Sequence, residues 1–329
     1  MSPYDTSEAH RISVKRWSLV FAVSLLLFLL GINLAFLWCF DGAFWSEGNA
    51  LLMGVLLLIV FGCALFQLQR LSADGPTVAK LLGGTLVVLE PKHERLKQFR
   101  NVATEMAIAA GMPMPALFVL ESEHRINAFA AGDAPAKTAI CVSHGALAKL
   151  TRDELQGVVA HEMAHLKHAD VGLSIRLSAT LFGLLALAIS GAFLLKIAAV
   201  SGSSRSKEGS AAGAGLMIAG IAMLAMGGLG WLLAAVLDAK VSRQQEFRAD
   251  AEAVRLMSTP AGIVGALVKL ARECGAIPDD SVSDRLGVLN PMHFRAAVKK
   301  YWFDTHPPLL ERIRVLDPAT AAELQLSMG

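Results

Sequence analysis

The chain alternates between long uncharged apolar runs and segments in which apolar and charged positions are mixed. Four runs stand out: Trp17 to Phe40, Gly48 to Gln69, Leu177 to Leu195 and Gly209 to Leu237. Each reaches the roughly 20 residues that cross a ~30 Å hydrocarbon core at ~1.5 Å per residue, so each predicts a transmembrane helix. The third run is the shortest, and Lys196 at its end must reach its ammonium to the interface. The fourth is rich in small residues, among them Gly220, Gly227 and Gly228, which predicts close helix packing rather than a ligand site.

Between the runs lie two large polar segments. The first, 71–172, opens with a loop containing Gly75-Pro76. Helical spacing from Glu94 to Ala110, stopped by Gly111, predicts a helix. Short strands are expected at Ala116 to Leu120, Ile126 to Ala131 and Ala139 to Val142. A further helix starts at Thr151, where Thr151 and Glu154 have the spacing of a capping box. The second segment, 238–329, predicts helices over Val241 to Met257 and Ala261 to Cys274, a loop over Gly275 to Asn290, a short helix over Phe294 to Tyr301, and a last helix after Pro307-Pro308. The expected organisation is therefore a tail and first transmembrane hairpin (1–70), a polar segment with a small sheet (71–172), a second hairpin (173–237) and a second polar segment (238–329).

Composition supports this pattern. Hydrophobic residues make up 54% of the chain and charged residues 18%, against about 25% charged in soluble domains. A net charge of +2 gives no footprint for nucleic acid. Lys and Arg set the direction of insertion: Arg11, Lys15 and Arg16 precede the first run, Arg70 and Arg176 flank the long connection, and Lys240, Arg243 and Arg248 follow the fourth run. Both termini and both polar segments are thus expected in the cytosol, with only Arg205 and Lys207 opposing. The first run is too long for a signal peptide and lacks its cleavage pattern, so it reads as a retained anchor. Cys39, Cys63, Cys141 and Cys274 form no C-x-x-C pair and predict neither a disulfide framework nor a cysteine metal site.

The chemistry concentrates at His161-Glu162-Met163-Ala164-His165. Residues i and i+4 share a helix face, so both imidazoles can bind one zinc ion, and Glu162 beside them can take a proton from the attacking water. A catalytic zinc needs a third protein ligand and one open position. Glu246 and Asp250 also lie at i and i+4. One carboxylate can bind metal while the other accepts an N–H from a ligand histidine; a solvated acidic face fits the same spacing. Two spans separate His165 from Glu246, which returns the chain to the same side of the membrane. His10, His93, His124, His144 and His293 show no ligand spacing, His168 is off the i+4 position, and Asp170 reads as ending or supporting the helix.

The order of these features resembles the HtpX-type membrane zinc metallopeptidases, relatives of the CAAX-prenyl endopeptidases. HEMAH follows a first pair of spans. A second pair, then Gln245-Glu246-Phe247-Arg248-Ala249-Asp250-Ala251, then Thr305-His306-Pro307-Pro308 complete the pattern over nearly the whole chain. The resemblance implies a mostly α membrane protein with four transmembrane helices and a zincin-like α+β catalytic domain assembled from two cytosolic segments. It implies one zinc ion per chain held by His161, His165 and Glu246, Glu162 as general base, Asp250 supporting a ligand histidine, and His306 stabilising the oxyanion. Asn127-Ala128-Phe129 is similar to the strand edge that pairs with substrate backbone in thermolysin-like zincins; an ordinary strand fits it equally. The implied activity is endopeptidase cleavage in quality control of misfolded or unfolded membrane proteins, in the bilayer of a bacterial inner membrane. Competing readings are a CAAX-type protease, against which four spans argue, and a zinc-binding scaffold or chaperone, which has no use for Glu162. The chain departs from the family pattern in its N-terminal tail and in Gly275 to Trp302.

Overall fold

A computed structural model describes residues 47–71, 74–88, 90–91, 93–132, 137–201, 207–274 and 306–328. The apolar run from Trp17 to Phe40, the loop from Gly275 to Asn290 and the expected helix from Phe294 to Tyr301 lie outside them. The described chain is mostly helical with one small mixed sheet. It divides into two compact units: Met1–Leu71 with Arg176–Asp238, and Ser72–Ile175 with Ala239–Gly329.

Among the described residues, the first unit contains one long helix and parts of two others. Helix α1 (Glu47–Leu71) covers the second apolar run. The third and fourth runs lie in α6 (Asp170–Ser201) and α7 (Lys207–Met257). Among the described residues, α6 over Asp170–Val200 and α7 over Leu216–Met257 are long and apolar enough to cross a membrane; the described apolar stretch of α1 is Leu58–Gln69. The small residues act as the sequence predicts, by close approach. A Cβ on Gly191 would meet the Leu224 amide nitrogen at 2.4 Å, and one on Gly227 the Ala188 nitrogen at 2.4 Å. These positions bring α6 and α7 into backbone contact. The fourth run and the expected helix after it are one continuous helix of 51 residues. No Gly or Pro stands between Leu237 and Met257 to end it.

The second unit is built around a sheet of order β1-β2-β4-β3, comprising β1 (Thr85–Leu86), β2 (Ala116–Leu120), β3 (Ala128–Ala131) and β4 (Ala139–Ser143). The β2–β4 pair is parallel, and the two outer pairs are antiparallel. Leu117, Val119, Ile140 and Val142 pack on one face with α3 (Glu94–Ala110) and α5 (Arg152–Lys167). Phe118, Leu120 and Cys141 pack on the other with Ala79 of α2 (Gly75–Leu81). A strand covered on both faces reads as a continuous apolar run, as Ala-Leu-Phe-Val-Leu and Ala-Ile-Cys-Val-Ser do. Burying one such large side chain contributes about 1.5–3 kcal/mol.

Helix α2 replaces the loop expected at Gly75-Pro76. Proline at the start of a helix loses no hydrogen bond, so the dipeptide here opens a helix. Gly75 is needed for contact: a Cβ would lie 2.5 Å from the Ala131 carbonyl oxygen. Two further elements carried no clear sequence signal, β1 and the single-turn-scale α4 (His144–Lys149), which Ser143 caps by accepting from the Ala146 N–H.

Helix α5 carries the HEMAH motif and starts where its cap predicts. Thr151 Oγ1 accepts from the Glu154 N–H at 3.3 Å, and Glu154 Oε2 accepts from the Thr151 N–H at 2.7 Å. Gly157 lets α5 lie directly on α8 (Ala261–Cys274), since a Cβ there would meet the Ile263 nitrogen at 2.5 Å. A smaller cluster joins α8 to α9 (Leu309–Leu316) and α10 (Pro318–Met328) through Ile263, Leu267, Ile313 and Leu324.

Candidate metal centre

Helix α5 presents His161 and His165 on one face, as i and i+4 require. Their Nε2 atoms lie 3.1 Å apart, with the rings edge to face. Glu246 of α7 comes to the same point: its Oε2 is 3.6 Å from His161 Nε2 and its Oε1 is 3.7 Å from His165 Nε2. All three donor atoms lie within 4.8 Å of one another, the one such group of metal-capable side chains among the described residues. An ion with N and O bonds of ~2.0–2.1 Å in tetrahedral geometry spaces its ligand atoms about 3.3 Å apart, so the observed edges fit a single divalent cation.

Each imidazole is oriented by a carboxylate on its far nitrogen. Asp250 Oδ1 lies 2.9 Å from His161 Nδ1, and Asp170 Oδ2 lies 3.0 Å from His165 Nδ1. With Nδ1–H donating outward, the Nε2 lone pairs point at the common centre. Asp170 opens α6 directly after Ala169, which adopts a left-handed backbone with φ of 57°. That reversal turns Asp170 back toward the histidine one position beyond helical spacing. Arg248 of α7 donates to the other oxygen of Asp170.

The structure also brings in Arg312 of α9, which sequence spacing does not single out. It donates through Nε and Nη2 to both oxygens of Asp250, at 2.8 and 2.6 Å, and through Nη1 to Glu246 Oε2 at 2.8 Å. Arg312, Asp250, Glu246 and Glu162 are all buried. His306 Nδ1 lies 3.0 Å from Glu246 Oε1. Of the sequence-predicted residues, His161, Glu162, His165, Glu246, Asp250 and His306 therefore meet in one place.

Asn127 and Ala128 lie where the chain enters β3. Asn127 precedes β3, donating its N–H to Ser143 Oγ at 3.0 Å and accepting from the Ser143 N–H at 2.9 Å. Ala128 opens β3, which pairs with β4 on one side and, among the described residues, forms an edge of the sheet. Ala128 and Ala130 pack on the core shared with α5.

The local electrostatics favour positive charge at the centre. Burial alone would lower the His165 pKa, but its hydrogen bond to Asp170 and the charges of Glu162 and Glu246 raise it. Burial would raise the Glu246 carboxyl; the His306 hydrogen bond and the charges of His161 and Arg312 hold it far below the usual carboxylate range. Four buried carboxylates (Glu162, Asp170, Glu246 and Asp250) face two guanidiniums, Arg248 and Arg312. The carboxylates outnumber the guanidiniums, which favours a bound cation at the centre. Cys141, fully buried on β4, contributes no thiolate: burial and the Glu162 charge push its pKa up to about 12.

A donor set for one divalent ion, split between an HExxH helix and a carboxylate from a later helix and flanked by a buried glutamate, is the arrangement of a metallopeptidase, and α6 and α7 are long and apolar enough to cross a membrane. The chain belongs to peptidase family M48, whose model matches residues 93–320. A Protease HtpX homolog of Dictyoglomus turgidum is 32% identical over 318 residues, spanning 96% of this chain and 95% of the relative. One from Gemmatimonas aurantiaca is 34% identical over 215 residues, 64% of this chain and 72% of the relative. Among solved structures, Ste24p of S. mikatae is similar with a TM-score of 0.44 and 16% identity, over 93% of this chain and 65% of that one.

Proposed function

We propose that this chain is a zinc-dependent endopeptidase with four membrane crossings, acting from the cytosolic face of a bacterial inner membrane on misfolded or unfolded membrane proteins. The observation that carries the reading is the convergence of His161 Nε2, His165 Nε2 and a Glu246 oxygen, each imidazole backed by its own aspartate. Those three residues would hold the ion. Two nitrogens and one oxygen suit zinc, and three protein ligands leave a fourth position open, as hydrolysis requires and a structural site does not. Bound zinc would supply Lewis acidity toward the scissile carbonyl and the attacking water.

The remaining work falls to the protein. Glu162, buried beside His161, takes the water proton at its carboxylate and returns it to the leaving amine. His306 donates Nδ1–H to Glu246, which raises its pKa, and as an imidazolium it would have an Nε2–H free to donate to the developing oxyanion. Arg312 neutralises Asp250 and Glu246 and thereby keeps the carboxylates in place when the site is charged. The β3 edge would take the substrate backbone as an added strand through the Asn127–Ala128 end, an interaction that reads extended main chain more than side chains.

The test uses Glu162→Gln in detergent-solubilised protein with an unstructured protein as substrate. Zinc content stays near one per chain, while cleavage falls by at least about 10²–10⁴-fold. Full activity in this variant would remove Glu162 from the mechanism. Zinc retained with no cleavage by the wild-type chain would favour the scaffold reading.

A further inference from the structure

Among the described residues, the sheet's α2-bearing face is left uncovered at its β1 end. Leu86 pairs with Phe118, and paired residues of an antiparallel ladder share a face; Phe118 packs on Ala79 of α2. Leu86 therefore lies on the α2 side. The next residue, Val87, packs into the opposite core, and Val88 returns by alternation to the side of Leu86. Leu81, in the last residue of α2, belongs to the same region, joined to β1 by the tight Gly83–Gly84 turn in which Gly84 sits against Ala79. All three side chains are open to solvent: Leu81 by 79%, Leu86 by 51% and Val88 by 60%. Large apolar residues grouped in this way mark an interaction surface rather than ordinary scatter.

The identity of the partner follows from the adjoining sequence. Between Gly75 and Val88 there is one charged residue, Lys80, and no acidic one. In sequence, three residues separate Leu71, which ends α1, from Gly75, which opens α2. An apolar stretch whose one charge between Asp74 and Glu90 is Lys80, and which follows a membrane helix in sequence, matches the headgroup–acyl boundary of a bilayer, where apolar groups bury shallowly and lysine meets anionic lipid. We propose that Leu81, Leu86 and Val88 form a lipid contact that rests on the membrane surface. This inference relies on the reading of α1 as a membrane span.

The test reconstitutes the full chain in vesicles of phosphatidylcholine and phosphatidylglycerol containing a diazirine-bearing phospholipid, and maps the adducts by mass spectrometry after photolysis. Leu58 of α1, 72% exposed, reports on the span, and Ile108 of α3, 76% exposed, reports on exposure alone. Several-fold more adduct at Leu81, Leu86 and Val88 than at Ile108 supports the contact. Adducts at Leu58 with none over 81–88 overturn it while leaving the span intact. Absence of adducts at Leu58 counts against the span itself, whatever the patch shows. Equal labelling of Ile108 and the patch also overturns the contact, since exposure then accounts for both. A Leu81→Glu, Leu86→Glu double variant, both positions being exposed, is expected to lose the patch adducts and keep those at Leu58.

Discussion

Asp170 Oδ2 sits 3.0 Å from His165 Nδ1, although the two residues are five apart and no helical face joins them. The left-handed turn at Ala169 makes the contact, and Arg248 holds the far oxygen of Asp170. A carboxylate in this place fixes the imidazole tautomer and its direction. Asp170→Asn is expected to weaken zinc retention about 10–100-fold, read by competition with a chromogenic chelator. Circular dichroism should be unchanged. Wild-type zinc affinity in the variant would rule out an orienting role.

Arg312 offers a test of charge compensation. Replacing it by Leu leaves Asp250 and Glu246 buried without their cation, a loss expected to cost about 3–5 kcal/mol in metal-free protein. Zinc binding should recover part of that loss. Thermal unfolding with and without chelator reads both effects, and an unchanged midpoint in chelator would contradict the assignment.

Gly157 makes a packing prediction that is independent of metal. Its replacement by Ala drives a Cβ against the Ile263 backbone nitrogen, which cannot swing aside as a side chain could. Overpacking of this kind costs about 1–3 kcal/mol and would shift α5 relative to α8. Lowered thermal stability together with reduced zinc affinity is expected. A variant as stable as wild type would mean that the helix contact is looser than described.

Glu154 links stability to pH. Burial alone would raise its pKa, but Lys269, 2.6 Å away, and the Thr151 hydrogen bonds lower it below the ordinary value of 4.5. Because the folded pKa lies below the unfolded one, the stabilisation is complete above the unfolded value and fades as pH falls through the folded one. Glu154→Gln should therefore be less stable than wild type by about 1 kcal/mol near neutrality, with the gap closing in acid. Paired denaturation curves across pH decide the matter, and a gap that stays constant in acid would exclude the carboxylate as its source.

The residues that announced the site in the sequence are those whose chemistry depends on local spacing. The i, i+4 histidines, the Thr151 capping box and the Gly111 stop are written within a few positions, and the structure has the HEMAH helix and α3 at the expected bounds. The i, i+4 pair Glu246 and Asp250 was legible as a candidate metal ligand and its support, but a solvated acidic face fits the same spacing, and burial, which decides between them, comes from packing. Arg312 gave no signal: on a short helix with Glu311 and Arg314 beside it, it looks like one more surface charge. Its partner Asp250 is distant in the chain, and only the fold joins them. Asp170 was hidden for a different reason. Its contact depends on one residue of positive φ, and alanine rarely marks such a turn. Gly75-Pro76 misled because the same dipeptide suits a loop and a helix start, and the choice is made by β3 and β4 packing behind it.

The counter-charges for Asp250 and Glu246 come from α9, far downstream of the residues they neutralise. A ribosome releases the two histidines first, the two carboxylates of α7 later, and Arg312 only after a further stretch of synthesis. Until that arginine emerges, Asp250 and Glu246 lack the one guanidinium that pairs with both in the folded chain. Assembly of the centre thus waits on a helix that is synthesised after the carboxylates it neutralises.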